Sequence, residues 1–364
     1  MHATDFRIAS PASDATDTTQ PRLRHNPRLD GTRGIAILLV LVGHSYESTL
    51  PGAAYVGVDL FFVLSGYLIT TLLLKEREAA DHVNLRRFYA RRALRLLPAL
   101  FALLVVYGVY ALLASPAERT TRLGAVAAAG LYVSNWAEAF TIVHPTDLQH
   151  TWSLALEEQF YLFWPVAFVL LLRRRDGVTL ALRVLVVVFA LAIAGRFYVA
   201  HVNNVFGEGL YFSPIVWIDS LVLGCLLALL LGSGRVRSRP VPVVLLALVV
   251  VVFASIGLSG AARPLIDGGI TAVAVASAVL VAAAVDGRGP GMTLLSSRVL
   301  VRLGVLSYSL YLWHYVVLHW LLRSFPDGDP ALIGTVAIAL SLAVAAASYR
   351  VVERPFLRMK DRFG

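Results

Sequence analysis

Arg33 and His44 stand eleven residues apart in "LDGTRGIAILLVLVGHSYES", residues 29–48, with only uncharged residues between them. At about 100° and 1.5 Å per residue that spacing is close to three helical turns, or about 16 Å. A guanidinium and an imidazole therefore share one face of one helix. A titratable group among apolar neighbours costs several kcal/mol, so it is a functional candidate by default. The chemistry that suits an imidazole near neutral pH is proton abstraction by a general base. The structural alternative is a buried neutral ring satisfied by a neighbour.

Further ionisable side chains interrupt other apolar runs. His314 lies in "SYSLYLWHYVVLHW", about as far into its run as His44, and reads equally well as catalytic or structural. Asp59 lies in "VGVDLFFVLSGYLI", Glu157 and Glu158 in "HTWSLALEEQFYLFW", and Asp219 in "SPIVWIDSLVLG". Depth counting puts His44 near the bilayer centre and the four acids in the outer halves of their spans. Arg196 is a candidate partner for one acid, and buried ion pairing accounts for two of them. The remainder suggest a hydrated basin opening outward, with Asp59 or Glu157 placed to orient the His44 ring. On the other side, "NLRRFYARRALRLLP" sets Arg92 and Arg95 three apart on one helical face. Guanidinium forks suit phosphate and pyrophosphate. Part of this loop needs no explanation beyond topology.

The elements that must hold these residues are membrane helices. The 364 residues are 58% hydrophobic and only 15% charged, with a mean hydropathy of +0.71. Apolar runs near 34–50, 54–74, 95–114, 151–172, 180–201, 213–232, 241–259, 266–285, 303–322 and 331–351 predict an all-α polytopic bundle of about ten spans. Residues 122–136 are apolar but short and read as a re-entrant or interfacial helix, with an eleventh span as the alternative. Every second boundary is basic, which predicts both termini in the cytoplasm. The net charge of +9 sits in those loops and so points to topology and the lipid bilayer, not to nucleic acid. Residues 1–28 are polar and read as a disordered cytoplasmic tail without a cleavable leader, 29–356 as one membrane domain, and 357–364 as a short cytoplasmic tail. Cys225 lies in an apolar run and reads as a small buried hydrophobe. No metal site is expected.

Taken in order, "LDGTRGIAILLVLVGH", "GVDLFFVLSGYLIT", "RRFYARRALRLLP", "TWSLALEEQFYLFWP", "IDSLVLGCLLA", "LGVLSYSLYLWHYVV" and "VERP" resemble the membrane acyltransferase-3 family, the group of O-antigen and exopolysaccharide O-acetylases. The resemblance runs from about residue 29 to 356. It implies a multi-pass protein of the bacterial inner membrane that moves an acyl group, usually acetyl, from cytoplasmic acyl-CoA to a hydroxyl outside. The family's Arg-to-His motif falls on Arg33 and His44, and its Arg-x-x-Arg motif on Arg92 and Arg95. Its Trp-Ser and Glu-Glu positions fall on Trp152, Ser153, Glu157 and Glu158. Some members carry an added esterase-like domain. None follows here, so the chain is expected to act alone or with a separate partner.

On this reading the acyl-CoA diphosphate stays at Arg33, Arg92 and Arg95, and its slender arm reaches His44. The acceptor, a carbohydrate or a glycosylated small molecule, enters through a basin that includes Trp152, Ser153, Asp219 and His314. Two routes stay open: His44 deprotonates the acceptor hydroxyl, or His44 takes the acyl group itself. A proton-coupled transporter of a sugar or lipid-linked precursor is the alternative from another class.

Overall fold

The computed structural model describes residues 26–142, 146–203, 207–234, 241–257, 263–287 and 291–359. The polar tail to residue 25, the arginines at 235, 237 and 239, Arg288 and residues 360–364 lie outside them. Among the described residues every regular element is helical. In chain order these are α1 (Pro27–Ser45), α2 (Ala53–Ala80), α3 (Leu85–Leu113), α4 (Pro116–Gly130) and α5 (Ser134–Ala139). There follow α6 (Thr151–Leu172), α7 (Gly177–His201), α8 (Glu208–Tyr211), α9 (Pro214–Gly232) and α10 (Val241–Gly257). The last are α11 (Ile270–Asp286), α12 (Arg298–Ser324), α13 (Pro330–Ser348) and α14 (Arg354–Met359).

Helix starts follow local chemistry. Asn26 accepts a hydrogen bond from the Arg28 amide at 3.1 Å, with Pro27 in the first turn. Asn84 does the same for Arg87 at 3.0 Å, and Asp329 for Leu332 at 2.9 Å. Each cap satisfies a backbone donor that the helix itself leaves unpaired.

Among the described residues eight helices are long and apolar enough to cross a bilayer, and they coincide with eight of the ten expected spans. The other two are α1, whose first turns carry Arg28, Asp30 and Arg33, and α10, of 17 residues. Residues 122–136 divide between α4 and α5. At 15 residues α4 reaches about 22 Å, less than a hydrocarbon core. Phe101, Leu113, Val186 and Leu191 are exposed large apolar residues on α3 and α7, as expected of faces turned to lipid.

The packing that matters most is α1 beside α12. A Cβ at Gly34 would overlap the carbonyl oxygen of Leu300 and one at Gly304 that of Asp30, while one at Gly31 would overlap that of Leu295 in the turn before α12. The two backbones therefore touch, as small residues allow in membrane bundles. Asp30 is level with Gly304 and Arg33 with Ser307, so the helices run parallel in a common register. That register carries His44 to His314. Cys225 is fully buried on α9, as its apolar run predicts.

Candidate active site

Three groups of polar side chains inside the bundle hold the residues singled out above. The first is a cluster of imidazoles at one end of the α1–α12 seam. His44 Nδ1 lies 3.2 Å from His314 Nε2 and 3.1 Å from the Val40 carbonyl. His314 is buried, and its Nδ1 faces the carbonyls of Tyr311 at 2.8 Å and Leu310 at 3.1 Å. His44 is only half-buried. Tyr315 meets the His44 ring edge-on and lies stacked against His150. His150 is buried, presents Nε2 to the Leu312 carbonyl at 3.2 Å, and packs edge-on against His314. Below them, the Tyr311 hydroxyl donates to the His150 carbonyl at 2.6 Å and meets Ser153 Oγ at 2.5 Å.

His150 escaped the sequence reading. It sits just before α6, outside any apolar run, so neither burial nor periodicity marked it. Trp152 stands one step away among the rings of Phe62, Tyr211, Phe212 and Trp217. Ser153 thus joins the histidine cluster through Tyr311, whereas Trp152 joins the aromatic core.

The cluster sits at the end of α1 and just past the midpoint of α12. His44 is the penultimate residue of α1. Its neighbour Gly43 abuts Ala54 at the start of α2, and Ser45 abuts Gly334 in the second turn of α13. His44 therefore lies where α1 ends and α2 and α13 begin. Depth counted from one helix misses this because the flanking helices start at different heights.

The second group is basic. Arg33 reaches Ser307 at 3.3 Å, and its charge acts on Arg95, as does that of Arg92. Arg92 is tied down: it bonds Glu158 at 3.2 Å and lies over the Tyr161 ring. Glu157 accepts from Ser65 and Tyr161. Arg95 is exposed, and no hydrogen bond to it is found among the described residues. The Nε atoms of Arg33 and Arg92 are buried without a partner. Glu157 and Glu158 thus belong to the arginine end, which corrects their expected place in an outward basin beside His44.

The third group is a closed acid–base network. Arg196 is buried and donates to Asp219 at 3.0 Å, to the Val216 carbonyl at 2.8 Å and to Thr271. Thr271 donates to Asp219 at 2.7 Å. Asp59 accepts from Ser220 and from Ser277. Arg196 thus has the acid partner it was expected to have. Asp59 is not placed to orient His44; the ring partner of His44 is His314. The four acids do not share one basin: Asp59 bonds to α9 and α11, Asp219 to α7 and α11, Glu158 to α3, and Glu157 to α2 and to Tyr161 of its own helix. Among the described residues no group of His, Cys, Asp or Glu has the arrangement to hold a metal ion.

The family model of the acyltransferase-3 acyltransferase domain matches residues 26–350. SAS0844 of Staphylococcus aureus (strain MSSA476) is 33% identical over 361 residues, covering 93% of this chain and 58% of the relative. O-acetyltransferase OatA of Staphylococcus aureus (strain NCTC 8325 / PS 47) is 31% identical over 352 residues, covering 91% of this chain and 57% of the relative. The chain thus spans a little under three fifths of those relatives' length. No solved structure matches it.

Proposed function

The chain belongs to the acyltransferase-3 family, and from that premise we propose that it is a membrane O-acyltransferase. It moves an acyl group, acetyl by default, from acyl-CoA to a hydroxyl of an envelope glycan or another extracytoplasmic acceptor. Its place is the bacterial inner membrane, with the arginine end toward the cytoplasm.

The observation that carries the reading is the single seam joining two unlike ends. One face of α1 bears Arg33 and, about 16 Å further on, His44. The same α12 meets both, at Ser307 and His314. At the first end an exposed, unbonded Arg95 and two orphaned arginine Nε atoms form a donor set suited to a phosphate or pyrophosphate. Buried polar donors are normally paired, so orphans of this kind mark a place for a ligand. At the second end a half-buried imidazole offers a base to a hydroxyl.

In the reaction the thioester is already activated. His44 removes the acceptor's proton as its oxygen attacks the thioester carbon. The C–S bond breaks, and the proton passes to the departing thiolate. The products are an O-acyl ester and free CoA. Asp59, Asp219 and Arg196 take no part in this chemistry; their role is to hold α2, α7 and α9 together. Glu157 and Glu158 brace Tyr161 and Arg92 beside the donor site.

The test is transfer of radiolabel from [acetyl-14C]acetyl-CoA by purified protein in nanodiscs, with envelope material from cells lacking it as acceptor. Label in the acceptor and equal CoA release are expected. Uptake of solutes by vesicles without CoA release would favour a carrier instead.

A further inference from the structure

The geometry points to His314 as the positioning residue for His44, and to His44 Nε2 as the atom that receives the acceptor's proton. This rests on the acyltransferase reading above. The argument is a hydrogen-bond count. His314 Nδ1 faces two carbonyl oxygens, of Tyr311 at 2.8 Å and Leu310 at 3.1 Å. A carbonyl only accepts, so Nδ1 carries the proton. The neutral ring then presents a lone pair at Nε2. The group opposite is His44 Nδ1, at 3.2 Å. That atom also faces the Val40 carbonyl at 3.1 Å. Two acceptors converge on His44 Nδ1, so it carries the hydrogen and donates to both. The remaining nitrogen, Nε2, holds the lone pair.

The reverse arrangement fails on the same count. If His314 donated from Nε2, His44 Nδ1 would turn a lone pair toward the Val40 carbonyl. Two acceptors would then face each other with no hydrogen between them.

His314 therefore does for His44 what a carboxylate does in a hydrolase triad: it fixes the tautomer and the ring angle. It does so without charge. The groups facing the pair are His150, Tyr311, Tyr315 and His319, with Val40 on the ring's own helix. Among the described residues no carboxylate is one of them. A neutral orienter suits a half-buried site in a bundle, where an added charge would need a partner of its own.

The experiment compares His314→Leu with His314→Gln in nanodiscs, using acetyl-CoA as donor. A Gln side chain can place its carbonyl oxygen where Nε2 stood and accept from His44. Expected is a drop of about 100-fold in kcat for H314L, with the KM for acetyl-CoA within about twofold of wild type. H314Q should return to within about tenfold of wild type. H314L at full kcat, or H314Q no better than H314L, overturns the assignment. Carbethoxylation of the wild-type chain by diethyl pyrocarbonate, mapped by mass spectrometry, is independent of variant folding. Modification at His44 and protection at His314 are expected, because both His314 nitrogens are engaged. Equal modification of the two rings also overturns it. An active His44→Ala variant is a different outcome, since it removes the acyltransferase reading itself.

Discussion

The Arg196 network and the His44 cluster differ in what they leave unsatisfied. Around Arg196, among the described residues, no side-chain atom of Arg196, Asp219 or Asp59 is buried without a partner. Its guanidinium reaches Asp219, Thr271 and a backbone carbonyl, and Asp59 takes two hydroxyl hydrogens. Around His44 the count stops one short. One nitrogen is engaged, the ring stays half-exposed, and no charge compensates it. Both look alike as interruptions of apolar sequence. A membrane interior tolerates an ionisable group for either of two reasons, a completed network or a reaction, and only partner counting tells them apart. The arginine end repeats the contrast on a smaller scale. Arg92 is locked to Glu158, and Arg95, three residues on, is open.

The largest effect belongs to the open centre. His44→Ala should lower transfer on the order of 10³- to 10⁴-fold, with the amount of folded protein in the membrane unchanged. Activity in that variant would erase the distinction between the centres.

The closed centre should answer in stability. Asp219→Ala leaves Arg196 buried without its counter-charge, and breaking a buried pair in this way costs about 3–5 kcal/mol. The melting temperature by fluorescence-detected gel filtration should fall sharply, while turnover per folded molecule persists. Joint replacement by Arg196→Met and Asp219→Leu should recover much of the loss, because no charge is then stranded. A stable but inactive Asp219→Ala would move that network into the chemistry.

At the arginine end the two neighbours should part. Arg95→Ala removes an open charge-assisted donor, worth about 1.5–3 kcal/mol. The KM for acetyl-CoA should rise about tenfold or more with melting unchanged. Arg92→Ala removes one orphaned Nε donor together with the tie from α3 to α6, so a smaller rise in KM should come with a fall in the melting temperature. Equal KM effects in both would mean that Arg92 releases Glu158 when the donor binds.

The smallest effect is expected at Ser220→Ala. It deletes one of two donors to Asp59 and should cost about 1 kcal/mol, seen as a small shift in melting with unchanged turnover.

Much of the plan is legible in the residues themselves. Helical periodicity and rise belong to a single segment, so the shared face of Arg33 and His44 and the length of most spans follow directly from spacing. Buried burden is legible too: an acid or imidazole in an apolar run must find a partner or a task. What spacing within one helix does not carry is the height and direction of its neighbours. Those depend on where backbones can touch, and Gly34 and Gly304 settle it by letting α1 and α12 meet in one register. That contact brings His314 to His44, the packing of the α6 start on α12 sets His150 beside them, and the meeting of α6 with α3 takes Glu158 to Arg92. The sequence alone thus determined which groups are costly to bury. Tertiary packing decided which of them are satisfied, because a hydrogen-bond partner is a matter of position in space and the relevant pairs lie far apart along the chain.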